Sequence, residues 1–267
     1  MTGNRYLSLF WGSRRESGRP MRTVEFGKEN KDVILLLHGG GLSWWNYEET
    51  AEMLKNRFHI VIPILDGHTG SDLPFTSIEN NAKEIISYID EQYNGHILLA
   101  GGLSLGGQVL VEILSQRNNI CDFAMIESAL VMPMRIAEYF ITPSCSMCYP
   151  LIKKRWFAKL QFQSLHIHSS LFDNYFTDSS LIKKEDMISF LRANSSYQLK
   201  DTITGCQAKT LILVGGKEQK IMKRSAQLLS KKINKSILEI LPQYYHGDLS
   251  INHSMEYAEK LVQLISF

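Results

Sequence analysis

Residues 102–106 read Gly102-Leu103-Ser104-Leu105-Gly106, with Gly107 following, a G-x-S-x-G string between two contrasting segments. Before it, His96–Ala100 (HILLA) is a short β-like apolar run; after it, Ser104–Arg117 sets Leu110, Val111 and Leu114 at helical spacing. A sharp turn from strand to helix strains the serine backbone and asks for small residues at 102 and 106, where neighbouring backbone must pass closely. The Ser104 Oγ then projects at the carboxyl end of the strand, and the new helix aims its N-terminal amides at any negative charge that develops there. A glycine-rich turn with an incidental serine is the plainer alternative, and the surrounding motifs weigh against it.

Outward from this turn the chain alternates strand-like and helical segments. Val33–Leu37 (VILLL) is apolar at every position, as a strand buried on both faces is. Trp44–Arg57 reads as helix, Phe58–Ile64 as strand, Ile78–Tyr93 as helix and Asp122–Ile126 as strand. The tail repeats the pattern with strand Thr210–Val214, helix Ile221–Ile233, strand Ser236–Leu241 and helix Met255–Ser266. Such alternation predicts an α/β fold, a mostly parallel central sheet with helices on both faces and ligands outside the carboxyl ends of the strands. Residues 132–200 break the rhythm with aromatic and basic helical pieces and no clear strand. The expected layout is a core of residues 1–131 and 201–267 with residues 132–200 as an inserted helical cap.

Directly after Val33–Leu37 comes His38-Gly39-Gly40-Gly41. Glycines there let a backbone amide approach a reacting oxygen without a side chain in the way. A tetrahedral intermediate of acyl transfer needs two such donors, and the amides of Gly40 and Leu105 are the candidates, with Gly41 next. His38 itself reads as a structural histidine that fixes this loop.

Composition excludes several classes. The chain has 267 residues, 44% apolar and 21% charged, which is neither disordered nor low in complexity. Its 29 basic against 27 acidic side chains are scattered, so no footprint for nucleic acid is expected. No membrane partner is expected either, because no apolar run is long enough to cross a bilayer. Met1–Pro20 holds a short apolar patch, Tyr6–Trp11, without the stretch or cleavage site of a secretory signal, and a cytoplasmic protein is the expectation. Four cysteines are too few for a disulfide scaffold. Cys145 and Cys148 form a C-x-x-C, but between Pro143 and Pro150 the region reads as irregular rather than as a strand-to-helix redox turn.

With the H-G-G-G loop, the G-x-S-x-G elbow and a late histidine in order, the chain resembles an α/β-hydrolase from about Met21 to Phe267. The resemblance implies a serine nucleophile, then an acid after a later strand, then a histidine after the last strand. Among eight histidines, His246 in the loop after Ser236–Leu241 is the candidate base, with His253 at the entry to the last helix as the alternative. His68, in Asp66-Gly67-His68-Thr69-Gly70, resembles a structural turn of the family. After Thr210–Val214 the loop reads Gly215-Gly216-Lys217-Glu218, where many relatives resemble G-x-x-D, so Glu218 stands at the acid position. Glu127, ending the strand before, is the alternative acid, and Asp248 lies too close along the chain to His246 to orient it.

The expected reaction is hydrolysis of a small or medium carboxylic ester or thioester, with Ser104, His246 and Glu218 catalytic and no cofactor or metal implied. Acyl transfer, amide or carbon–carbon cleavage, and a non-catalytic ligand-binding module that retains the triad stay open as alternatives. The expected partner is a small-molecule, ester-like substrate. Lys153-Lys154-Arg155 and Lys183-Lys184 read as solvated cap helices rather than as an anion site.

Overall fold

The computed structural model describes residues 10–14 and 20–266, with only the backbone of Phe10–Arg14 and Pro20. Most of the apolar patch Tyr6–Trp11, and with it the reading of the N-terminal stretch, falls outside the described residues. In chain order the elements are β1 (Phe10–Arg14), β2 (Pro20–Phe26), β3 (Val33–Leu37), a 3-10 turn (Trp44–Tyr47), α1 (Glu48–Leu54), β4 (His59–Pro63) and α2 (Ile78–Tyr93). Then come β5 (Ile97–Leu103), α3 (Leu105–Gln116), β6 (Cys121–Glu127), α4 (Arg135–Ile152), α5 (Arg155–Ser164), α6 (Phe172–Leu181) and α7 (Lys184–Ser196). The chain closes with β7 (Lys209–Gly215), α8 (Lys220–Lys232), β8 (Ser236–Leu241), α9 (Asp248–Asn252) and α10 (Ser254–Ser266).

Among the described residues eight strands form one sheet, in the order β1-β2-β4-β3-β5-β6-β7-β8. From β4 to β8 every pairing is parallel, while β1 and β2 are antiparallel additions at one edge. The sheet is thus mostly parallel, as the strand and helix alternation predicts.

β3 shows how the run VILLL fixes the layers. Alternate side chains of a strand point to opposite faces. Val33, Leu35 and Leu37 join one apolar cluster with Ile85 and Ile89 of α2, Val109 of α3 and Leu229 of α8. Ile34 and Leu36 join the other, with Leu54 of α1 and Leu261 of α10. Both faces are therefore covered, and no polar residue is tolerated along this strand. Local signals set the helix ends: the Ser77 Oγ accepts from the Asn80 amide at 3.0 Å to open α2, and Asn94 in the left-handed region closes it.

Several boundaries differ from the sequence reading. Trp44–Arg57 is a 3-10 turn followed by α1, not one helix. The strand expected at His96–Ala100 continues through two glycines to Leu103. A Cβ at Gly101 would lie 2.7 Å from Leu36 Cδ2, so Leu36 would have to shift to admit a side chain there. β1, β2 and α9 carry no clear pattern; in β2, next to the edge, the polar Arg22, Thr23 and Glu25 interrupt the apolar residues.

The connection from β6 to β7 is helical, containing α4 to α7. Cys145 and Cys148 lie inside α4, and Pro143 and Pro150 are within that helix rather than bounding it. Packing of α4 on α7 and of Tyr149 and Cys145 on the core overrides the helix-breaking tendency of proline here. All four cysteines are free thiols, and burial pushes those of Cys121, Cys145 and Cys206 upward. The segment is tied to the sheet end by hydrogen bonds: Trp45 Nε1 to Asp178 at 2.8 Å, the Phe75 amide to Asp186 at 2.8 Å, and Tyr197 Oη to Glu112 at 3.0 Å. No helix among the described residues is long and apolar enough to cross a membrane.

Candidate active site

The register brings five carboxyl ends together. Leu37 pairs with Gly102, Leu103 with Glu127, Glu127 with Leu213, and Gly215 with Leu241. The loops that follow carry His38, Ser104, Ser128, Glu218 and His246.

Ser104 has φ 53 and ψ −112, a conformation that L side chains rarely adopt. Its backbone is held there by the Ser104 amide donating to the Glu127 carbonyl at 2.9 Å and by the start of α3. Closeness explains the flanking glycines: a Cβ at Gly106 would sit 2.2 Å from the Leu37 carbonyl oxygen, and one at Gly102 2.5 Å from that of Gly106.

His246 Nε2 lies 2.9 Å from Ser104 Oγ, and His246 Nδ1 lies 2.7 Å from Glu218 Oε2. With Nδ1–H donating to the carboxylate, Nε2 is the acceptor and the Ser104 hydroxyl donates to it. Glu218 Oε1 accepts from Ser128 Oγ and from the Gly215 amide, both at 2.7 Å. Burial alone would raise the Glu218 carboxyl, but the bonds from His246, Ser128 and Gly215 outweigh it and hold Glu218 below the usual carboxylate range. Burial likewise would lower His246, and Glu218, helped by Glu127, outweighs that and raises it. The longer glutamate is thus accommodated by a loop that closes on it.

Ser128 is a participant that sequence reasoning passed over. It follows β6 with φ 53, which turns its hydroxyl onto Glu218. Nothing in the string Ile126-Glu127-Ser128 marks that left-handed turn.

The H-G-G-G loop is stapled by two buried histidines. His38 Nδ1–H donates to the Gly39 carbonyl at 3.0 Å, and its Nε2 accepts from the Leu65 amide at 3.2 Å. His68 Nδ1–H donates to the Asp66 carbonyl and its Nε2 accepts from the Gly41 amide, both at 3.0 Å. Gly41, the reserve oxyanion donor, is therefore committed to His68. Gly40 stays beside the start of α3: a Cβ there would lie 3.4 Å from Leu105 Cδ2. Leu105 opens α3, where amides have no acceptor within the helix. Burial, with His68 adding, pushes His38 down to about 3, and burial pushes His68 down to about 4, so both rings are neutral. Phe190 of α7 stacks on His68, with ring centroids 4.8 Å apart.

The alternative residues lie elsewhere. Glu127 is buried, with Oε1 3.4 Å from the Ser250 amide and Oε2 without a hydrogen-bond partner. Burial, with the Glu218 charge adding, pushes it up to about 7. His253 sits 3.6 Å from Asp248 and packs on Tyr244. Asp248 accepts from the Tyr245 amide and from Asn252, holding the loop that carries His246.

Ser104, His246 and Gly40 open into a cavity of about 580 Å³. Its walls mix apolar side chains such as Leu130, Met222 and Ile251 with Asn194, and residues 164–167 close one side. Among the described residues no group of three or more His, Cys, Asp or Glu is arranged to hold a metal ion.

Comparison with known proteins adds family context. Residues 34–238 match the profile of the Alpha/beta hydrolase family. A sequence comparison with curated proteins gives no match. Similar solved structures include an esterase from Exiguobacterium antarcticum, 16% identical with a TM-score of 0.82, covering 97% of this chain and 100% of that one. A thermophilic esterase from Thermogutta terrifontis is 15% identical with a TM-score of 0.77, covering 96% and 99%. A bromoperoxidase from Bacillus anthracis is 13% identical with a TM-score of 0.80, covering 97% and 100%. At these identities the likeness is one of fold.

Proposed function

This chain belongs to the alpha/beta hydrolase family, and on that footing we propose that it is a serine hydrolase cleaving a small or medium carboxylic ester or thioester through an acyl-enzyme on Ser104. The observation that carries this reading is the continuous relay from Ser104 Oγ through His246 to Glu218, with separations of 2.9 and 2.7 Å.

The Ser104 oxygen attacks the ester carbonyl carbon while its proton passes to His246 Nε2. The ionised Glu218 orients the ring and stabilises the imidazolium. Negative charge on the carbonyl oxygen is met by the amides of Gly40 and Leu105, with the α3 N-terminus adding its dipole. Collapse of the intermediate breaks the bond to the leaving group, which takes the proton from His246 and departs as alcohol or thiol. Water then attacks the acyl carbon, giving up a proton to His246; collapse breaks the bond to Ser104 Oγ, which takes that proton back as the carboxylic acid departs. Helices α4 to α7, within the inserted segment 132–200, act as a cap that shapes the acyl pocket.

A fluorophosphonate probe tests the reading. The wild type should be labelled at Ser104, as located by peptide mapping, and Ser104→Ala should not. A panel of esters and thioesters of increasing acyl length should then turn over above the Ser104→Ala background. An unlabelled, folded wild type would overturn the assignment of an activated nucleophile.

A further inference from the structure

Nine of the thirteen large apolar side chains exposed among the described residues lie between Ile136 and Leu181. Along α4, Ile136, Tyr139, Phe140, Pro143, Met147 and Leu151 are all exposed and recur at steps of three and four residues. That spacing lines one side of the helix. On an ordinary surface helix the outer stripe is polar and the inner one apolar. Here the outer stripe is apolar, with Ile136 and Tyr139 80% and 79% exposed. On α5, Trp156 and Leu160 are exposed as well. A contiguous exposed apolar patch of this kind marks a contact surface.

Charge identifies the kind of partner. From Arg135 to Ser164 five basic side chains (Arg135, Lys153, Lys154, Arg155, Lys159) face one acidic one, Glu138, a balance of +4 within a chain whose total is +2. Lys153 and Lys154 follow the last member of the stripe, Leu151, after the buried Ile152, and Lys159 adjoins Leu160; all three lysines are exposed. Arg155 is partly committed, pairing with Asp173 at 2.5 Å. Aromatic and aliphatic side chains with lysines at their border are the composition of a segment lying in a lipid interface. A second copy of this face would instead bring two +4 surfaces together. The face also adjoins the cavity, since Met134 before α4 and Leu165 after α5 both line it.

We propose that the α4–α5 face seats on the surface of a lipid bilayer bearing anionic headgroups, its apolar stripe in the headgroup and acyl boundary and Lys153, Lys154 and Lys159 at the phosphates. The proposal stands against the expectation of a solvated basic cluster and of no membrane partner. It is independent of the reaction, because binding is read without substrate.

The test is co-sedimentation of the whole protein with phosphatidylcholine vesicles and with vesicles of phosphatidylcholine mixed with phosphatidylglycerol. Binding is expected to the mixed vesicles and to weaken as salt rises. The double variant Phe140→Asp/Met147→Asp should lose about tenfold or more in vesicle affinity. Lys153→Ala/Lys154→Ala should lose roughly thirtyfold while leaving the stripe intact. Circular dichroism and melting temperature provide the fold control, and should the aspartate variant fail it, the lysine variant still decides. Binding to neither vesicle, equal binding to both, or full retention by the lysine variant would overturn the proposal. So would a dimer in sedimentation analysis that Phe140→Asp/Met147→Asp abolishes, which would assign the face to a second copy.

Discussion

Glutamine in place of glutamate separates the two carboxyl groups that meet at this end of the sheet. In Glu218→Gln the amide cannot stabilise an imidazolium and favours the wrong tautomer of His246, so kcat for a turned-over ester should fall by about ten-thousandfold. Glu127, pushed up to about 7, is partly protonated near neutrality, and its neutral form is mimicked by the amide. Glu127→Gln should therefore keep kcat within about tenfold of the parent. The pH profile gives a second readout. His246 must be neutral to act as base, so kcat/KM should rise with pH through a midpoint above 6.5, in keeping with its raised imidazole. In Glu218→Gln that midpoint should move towards acid, and a midpoint that stays in place would mean that Glu218 does not partner His246. The same elevation gives His246 a contribution to stability that, while Glu218 stays ionised, is full below pH 6.5 and fades as pH rises through the folded value.

Elements meet tightly where α3 leaves β5. Gly106→Ala would drive a methyl group into the Leu37 carbonyl, 2.2 Å away, and neither backbone can give without moving Ser104 or the oxyanion loop. The variant should lose about 3 kcal/mol or more in urea denaturation, and any folded fraction should label poorly with the fluorophosphonate. A stable, fully labelled Gly106→Ala protein would show that the elbow is looser than this packing requires. The elbow and the buried strand VILLL were legible in the sequence because both are written in contiguous residues with a sharp change of period. Other parts were not. In β2, Met21 joins one apolar cluster and Val24 and Phe26 the other, with Arg22, Thr23 and Glu25 interrupting, so the run leaves no periodic trace. Prolines 143 and 150 mark a break in any local reading, yet tertiary packing keeps α4 continuous through them. Ser104, Glu218 and His246, which the structure brings together, were candidates from their places after β5, β7 and β8 and from the order that the family resemblance implies. The roles of Ser128 and His68 were not legible, since a left-handed serine and a ring nitrogen aimed at the Gly41 amide depend on contacts between distant loops.

For the whole molecule, His38 and His68 couple stability to acidity. An unfolded chain binds protons on both rings below about pH 6.5, whereas the folded protein refuses them until about 3 and about 4. Their contribution is complete above pH 6.5 and is lost as pH falls, at about 1.4 kcal/mol per pH unit for each ring. Urea midpoints between pH 6 and 5 should fall for the parent, and His68→Gln should show a dependence weaker by about one proton; an unchanged slope would refute the assignment. The wide separation of the site's parts along the chain has a temporal side. Ser104 precedes His246 by 142 residues. Synthesis therefore completes the nucleophile long before the base, and β8 must join the sheet edge before the relay exists. A nascent chain still lacking β8 also lacks His246, so on the proposed reading its Ser104 is an ordinary hydroxyl until the stretch carrying that ring has folded.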